Sequence, residues 1–267
     1  MRMWRAAIKF AYEGKNFNGS QRQPGVRTVE GEVIRGLKKI GAMDDPVTAR
    51  FKVASRTDAG VSALGNLVCF DTEFSRDRIL HALNAVCDDV YFIACREVAP
   101  SFSPRRAKER WYRYFLADDG IDMDLLISAS RLFVGRHDFR RFCKPEGRAT
   151  VKTVNNIVVT KAGGLFIIDL YAREFLRNMV RRMVAAMEKA GRGTVTVADI
   201  REALEGRDIS FGLADPYGLC LMDIIYDIDF KAESTEPMKR KVGEKREEAL
   251  LELFFYDSLL DIGNDDK

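Results

Sequence analysis

The first hundred residues alternate between the hydrophobic spacing of strands and that of helices. Alternation from Trp4 to Tyr12 predicts a strand. Thr28 is an N-cap residue, and the apolar stripe that follows it predicts a helix closed by Gly41. The remaining elements predicted here are short strands over 51–54 and 67–71, a helix capped by Ser75, and a strand over 91–98.

The second half has the same order of elements, although no residue-level repeat is visible. A strand is predicted over 111–116, a helix over 125–133, and a hairpin of strands 154–160 and 165–171 around Gly163 and Gly164. An amphipathic helix over 175–190 follows. Thr196 and Asp199 have the spacing of an acidic capping box, which opens a short helix, and 219–226 is the last strand.

Each half therefore has the order β-α-β-β-α-β, which is the order of a ferredoxin-like domain. The sequence predicts an α+β fold of two ferredoxin-like halves, occupying residues 1–99 and 100–230. Pro100 and Pro104 keep the linker between them extended. Residues 231–267 are predicted to be a charged extension with a terminal helix over 244–260, whose apolar residues at 250–255 dock on this chain or another.

Composition excludes several classes of protein. The chain has 267 residues, 46% of them apolar, which is enough to form a core and excludes disorder as the main state. No run of 18 apolar residues occurs, so no membrane partner is expected. The N-terminus lacks the apolar stretch of a signal peptide, and five cysteines without C-x-x-C spacing are typical of reduced thiols. We therefore expect a cytoplasmic protein. With two histidines only, a multi-histidine zinc site is not expected.

Charge is unevenly distributed along the chain. Residues 101–182 contain 17 basic and 9 acidic side chains, whereas residues 231–267 contain 7 basic and 10 acidic ones. A concentrated basic stretch indicates a polyanion partner such as a nucleic acid. An ion-paired, solvated surface explains the same charges, so charge alone leaves both interpretations open.

The loop over 55–63 has the sequence S-R-T-D-A-G-V-S-A and carries the chemistry of most interest. An arginine and an aspartate lie two positions apart, next to a turn of small residues. One interpretation is an Asx-type turn, in which Asp58 accepts backbone hydrogen bonds and Gly60 supplies an unusual dihedral angle. The other is a catalytic carboxylate.

Seven motifs, in order, resemble the tRNA pseudouridine synthase A family. The loop contains the family's R-T-D-A-G-V core. The resemblance runs from about residue 5 to 227 and includes the N-terminal Y-E-G strand end with the Gln-x-Gln loop (12–23), T-V-E-G (28–31), Y-R-Y (112–114), G-R-H-D-F (135–139), F-L-R-N-M-V-R (175–181) and A-D-P-Y-G-L (214–219). Three positions depart from the pattern common in bacterial members, namely Ser20, Ser55 and Ser62. The serine at position 62 resembles the archaeal and eukaryotic branches.

The resemblance implies the pseudouridine synthase fold, in which the sheets of the two halves join around a central RNA-binding cleft. It implies that Asp58 is the catalytic carboxylate. Three roles stay open for Asp58: attack on ribose C1′, attack on uracil C6, or deprotonation of C2′. Arg181 would pair with and orient Asp58. Arg56 would help to extrude the target nucleotide, and Tyr112 would contact the uracil.

A basic track is expected to bind the RNA backbone through Arg105, Arg106, Arg110, Arg140, Arg141 and Arg177. Arg177 and Arg181 are predicted to share one face of the 175–190 helix. The aromatic residues Phe133, Phe139 and Phe142 are interpreted as core.

The function implied is conversion of uridine to pseudouridine at positions 38, 39 and 40 of tRNA, by a homodimer that needs no cofactor or metal. No further protein partner is implied. Two alternatives remain open. A non-catalytic RNA-binding module would need the basic track but not Asp58. A metal-dependent nuclease would need clustered carboxylates, and the candidates are Asp118, Asp119, Asp122 and Asp124.

Overall fold

The computed structural model describes residues 2–262, which form nine strands in one sheet and six α helices. The strands are β1 (Trp4–Tyr12), β2 (Lys52–Val53), β3 (Ser62–Thr72), β4 (Val90–Val98), β5 (Glu109–Ala117), β6 (Gly135–Asp138), β7 (Val151–Ala162), β8 (Leu165–Ala172) and β9 (Leu219–Ile225). The helices are α1 (Val29–Lys39), α2 (Arg76–Val86), α3 (Met123–Leu132), α4 (Met179–Gly191), α5 (Val197–Leu204) and α6 (Glu236–Asp261).

The order of strands in the sheet is β4-β1-β3-β9-β5-β8-β7-β6, with β2 paired to β3 beside this path. Strands β4-β1-β3 and β9-β5-β8-β7 have the arrangement of two ferredoxin-like units. The prediction of an α+β fold with two such halves is confirmed. The halves meet where β3 and β9 pair in parallel, at Ser62 with Cys220 and at Ala63 with Leu221.

Local sequence signals explain several of these elements. The Thr28 hydroxyl accepts the amide of Gly31 and caps α1, as predicted. Both members of the Thr196–Asp199 capping box are formed at the start of α5. Gly163 and Gly164 both have positive φ angles, which a two-residue turn between β7 and β8 requires.

Some predicted boundaries were wrong. The helix expected from residue 175 begins only at Met179, because Asn178 has a left-handed backbone with φ of 63°. Strand β3 begins at Ser62, five residues before the predicted start. Ser75 precedes α2, but its side chain makes no capping hydrogen bond. The terminal helix begins at Glu236 instead of residue 244.

The base of α6 is attached to the segment that follows α2 in the N-terminal half of the chain. Lys241 donates to the carbonyl of Cys87 and pairs with Asp88 at 3.0 Å. Farther along α6, the predicted docking residues Leu250, Leu251, Leu253, Phe254 and Phe255 are all exposed, so docking on the described part of this chain is not observed. Over residues 2–262, no helix combines the length and apolar character needed to span a bilayer.

Candidate active site

A cleft of about 1490 Å³ is lined by residues of both halves of the sheet. The loop between β2 and β3 forms part of its floor and carries Asp58. The opposite wall is formed by the segment before α4 and by the first turn of that helix. Eight of the ten residues that sequence analysis placed at the site lie in this lining: Arg56, Asp58, Arg105, Arg106, Arg110, Tyr112, Arg177 and Arg181.

Asp58 and Arg181 form an ion pair across the cleft. Arg181 Nη1 lies 3.2 Å from Asp58 Oδ2, and the side chains of Arg181 and Asp58 are 12% and 28% exposed, respectively. Arg181 Nε also donates to the carbonyl of Ala214 at 2.8 Å, and the Ala214 amide returns a bond to the Arg181 carbonyl at 3.1 Å. The guanidinium is therefore fixed on one side while it holds the carboxylate on the other.

Polar side chains packed against the Asp58 loop hold it in place through hydrogen bonds. The hydroxyls of Tyr12 and Thr57 lie 2.8 Å apart. Asn66 is fully buried, and its side chain accepts from the Ser55 amide and donates to the Ser55 carbonyl at 3.3 and 3.0 Å. Gly60 has φ of 84°, and a Cβ there would lie 3.0 Å from Pro216, so the turn requires glycine. The loop therefore has both a fixed start and a fixed turn.

The three serines that depart from the bacterial pattern each bond to the loop or to its attachments. The Ser20 hydroxyl accepts the Thr57 amide at 2.6 Å. Ser55 Oγ accepts from Arg110 Nε at 2.9 Å, and Ser62 Oγ accepts the Gly14 amide at 3.0 Å. Sequence analysis marked these positions as departures but did not predict their hydrogen bonds.

Tyr112 presents an aromatic ring to the cleft. It is 7% exposed, and its ring packs edge-on against Phe175 with centroids 5.4 Å apart. Burial raises the pKa of the Tyr112 phenol to about 12, so the side chain is neutral at pH 7. This arrangement leaves a rigid, uncharged ring beside the carboxylate.

The lining of the cleft is strongly basic, with nine Lys or Arg side chains against three Asp or Glu. Arg56, Arg105 and Arg106 are exposed. Lys144, Arg148 and Arg173 also belong to the lining. The cleft therefore suits a polyanion.

Arg110 and Arg177 are placed differently from the prediction. Arg110 is buried, and it donates to the Ser55 hydroxyl and to the carbonyls of Ala54, Arg105 and Arg173, so its donors are used inside the protein. Arg177 lies before α4 and pairs with Glu146, so it does not share a helix face with Arg181 as predicted.

Arg140 and Arg141 lie outside the residues that line the cleft. Arg141 pairs with Asp208 at 2.7 Å, and Arg140 lies 3.5 Å from Asp138. Phe133, Phe139 and Phe142 are fully buried, which confirms that they are core residues.

The acidic residues suggested for a nuclease have other partners. Asp118 pairs with Lys161, Asp119 lies 3.6 Å from Arg192, and Asp122 caps α3. Within residues 2–262, no group of three His, Cys, Asp or Glu side chains is arranged to hold a metal ion.

The sequence matches known proteins over nearly its whole length. A family model described as tRNA pseudouridine synthase matches residues 129–227. A tRNA pseudouridine synthase A from Pyrococcus abyssi is 42% identical over 248 residues, which cover 90% of this chain and 93% of that protein. A protein of the same name from Thermococcus onnurineus is 38% identical over 96% of this chain and 98% of its own length.

Among solved structures, a Cbf5-Nop10-Gar1 complex aligns with 79% of this chain and 50% of its own, with 13% identity and a TM-score of 0.36. The sequence relatives carry the assignment, because their identity is high and extends over almost all of both chains. The chain belongs to the tRNA pseudouridine synthase A family.

Proposed function

We propose that this protein converts uridine to pseudouridine at positions 38, 39 and 40, in the anticodon stem-loop of tRNA. The observation that carries the proposal is the Asp58–Arg181 ion pair at the floor of a basic cleft. The names of its relatives support tRNA as the substrate, and the sequence resemblance supports the anticodon positions.

The reaction breaks the N-glycosidic bond and rejoins uracil to the same ribose through C5. Base and sugar are both retained, so the reaction is an isomerisation. It needs one carboxylate at the reacting centre, which acts on ribose C1′, on uracil C6 or on the C2′ proton. Asp58 is held by a guanidinium and remains partly open to the cleft, which suits each of these roles.

A uridine inside an RNA stack cannot reach Asp58, so the nucleotide must be extruded. Arg56 is exposed two residues from Asp58 and is positioned to contact the vacated place in the RNA. Tyr112 offers its ring to the extruded uracil, and stacking on an aromatic ring contributes about 1–3 kcal/mol per base.

The RNA backbone is proposed to follow Arg105, Arg106 and Arg177 along the cleft. Arg177 has a competing partner, because its guanidinium pairs with Glu146, and a phosphate would have to replace that carboxylate. Arg110 is buried behind this part of the cleft and holds it through hydrogen bonds to Ser55 and to the carbonyl of Arg105. Arg140 and Arg141 would join the track only if the RNA extends beyond the cleft.

Replacing Arg105 and Arg106 together by Ala is expected to weaken tRNA binding and to flatten its salt dependence. The slope of log K against log salt should become shallower by roughly one unit for each phosphate that is no longer neutralised. The measurement is a binding titration at several salt concentrations. The double variant Arg140→Ala, Arg141→Ala, whose substitutions lie outside the cleft, is the variant with which this slope is compared. An unchanged slope in the Arg105/Arg106 variant would remove these residues from the track.

We further propose a cytoplasmic homodimer whose chain divides into residues 1–99, 100–230 and 231–267. The strand order supports the first two parts, and the five free thiols suit a reducing compartment. The resemblance supports the dimer, and the exposed apolar side chains of α6 are a surface available for it.

The proposed function is tested by incubating purified protein with tRNA transcripts, with and without EDTA, and mapping pseudouridine by position. We expect pseudouridine at positions 38 to 40 and intact RNA. Pseudouridine only at other positions would correct the target. Cleavage that EDTA abolishes would support a nuclease, and binding without reaction would support an RNA-binding module.

A further inference from the structure

Ser20 and Thr57 are joined by three hydrogen bonds, although they lie 37 residues apart in the sequence. The Ser20 hydroxyl accepts the Thr57 amide at 2.6 Å and donates to the Thr57 carbonyl at 3.1 Å. The Ser20 amide donates to the same carbonyl, also at 3.1 Å. One side chain thus holds both backbone polar groups of the residue that precedes Asp58.

The turn that carries Ser20 is itself fixed. Ser20 is 4% exposed, and its carbonyl accepts the amide of Glu30 at 2.9 Å. The carbonyl of Gly19 accepts the amide of Val29 at 3.3 Å. Both acceptors receive N–H groups from the first turn of α1, which have no partner inside the helix. The position of Ser20 is therefore set by α1.

The Asp58 carboxylate itself has little direct support. Its described side-chain ion pair is the single contact from Arg181 at 3.2 Å, and its side chain is 28% exposed. One guanidinium nitrogen limits the distance of the carboxylate but not its rotation. The backbone of Asp58, which is continuous with the clamped Thr57, sets the direction of its Cα–Cβ bond and therefore where the carboxylate can reach.

We propose that Ser20 is a positioning residue, which aims the Asp58 carboxylate by clamping the backbone of Thr57 to the start of α1. This inference rests on the proposed function, because it takes Asp58 as the reacting group. Ser20 lines the cleft but is only 4% exposed, and in this role it acts through Thr57 without contacting the reacting atoms. Its loss should slow the reaction while the basic cleft still binds tRNA.

The test is single-turnover formation of pseudouridine by Ser20→Ala, with tRNA affinity measured separately. A misplacement of about 1 Å can cost about 100-fold in rate, so we expect a loss between about tenfold and that figure, with affinity near that of the parent. Ser130→Ala is the matched control. Ser130 is 3% exposed and donates to a backbone carbonyl, but it lies in α3, outside the cleft lining.

A second variant and a second measurement protect the test from a simple folding defect. Ser20→Cys keeps the unbranched shape of the side chain, with a somewhat larger sulfur atom that accepts hydrogen bonds weakly, so it should also lose rate. Hydrogen exchange at the Thr57 amide should be faster in both Ser20 variants and unchanged in Asp58→Asn.

The outcomes separate the two proposals. If the parent makes pseudouridine and Ser20→Ala stays within about twofold of its rate, less than about 0.5 kcal/mol of barrier, the positioning role is wrong and the proposed function stands. Unchanged exchange at Thr57 in both Ser20 variants would overturn the clamp. An inactive parent would overturn the proposed function and this role with it.

Discussion

Asp58→Asn is expected to reduce pseudouridine formation below detection while tRNA still binds. Asparagine has nearly the same shape as aspartate and can still accept a hydrogen bond from Arg181, but it lacks the negatively charged carboxylate that each of the possible roles needs. The basic lining of the cleft is unchanged by this substitution. The measurement is single-turnover product formation on a tRNA transcript with a uridine at a known target position.

Asp208→Asn is the matched control for this substitution. Asp208 also pairs with an arginine, Arg141, at 2.7 Å, but it lies outside the cleft. Its replacement should leave the rate unchanged. If Asp58→Asn forms product within about tenfold of the parent rate, a barrier change of only about 1.4 kcal/mol, the chemistry belongs to another residue.

Replacing Arg181 should lower the rate far more than the affinity. Arg181 uses one nitrogen for Asp58 and another for the Ala214 carbonyl, and the single nitrogen of lysine cannot reproduce both directions. We expect Arg181→Lys to lose about 100-fold in rate and Arg181→Ala about 1000-fold, as removal of one positioned electrostatic group can cost. Single-turnover kinetics beside a tRNA binding titration measures both quantities.

The control for Arg181 lies at the other end of α4. Arg192 pairs with Glu188 at 3.2 Å and is outside the cleft lining, so Arg192→Lys should behave as the parent. A variant at position 181 that binds tRNA poorly but reacts normally once bound would make Arg181 an RNA-binding residue, and would contradict its role in orienting Asp58.

The sequence predicted the fold well where local signals and burial agree. Strand β1 has the predicted bounds, and most of its side chains are buried in the core. The glycine turn of the β7–β8 hairpin and the capping box of α5 are set by a few adjacent residues. Such features need no knowledge of distant contacts.

The errors arose where distant contacts decide. The apolar spacing from Phe175 onward continues the pattern of α4, but the left-handed Asn178 breaks the helix there. The start of β3 at Ser62 depends on pairing with β1 and β9, which its weakly apolar sequence does not show. At β3, tertiary pairing overrode the local pattern.

The sequence predicted the candidate site in part, as it did the fold. The sequence motifs indicated Asp58 and Arg181, and the structure brings these two side chains together. The assignment of Arg110 to RNA binding came from charge alone, and charge cannot distinguish an exposed arginine from one whose donors are used within the protein. The contact between Ser20 and Thr57 had no signal in the sequence, because it joins two separate loops.

The parallel pairing of β3 with β9 has a consequence for how such an enzyme can change over evolution. Strand β3 follows the loop of Asp58, and β9 follows the segment whose Ala214 holds Arg181. The carboxylate and its arginine therefore come from different copies of a repeated architecture. Neither half alone contains both members of the ion pair. A slip of one residue in the β3–β9 register would therefore displace the two charges relative to each other.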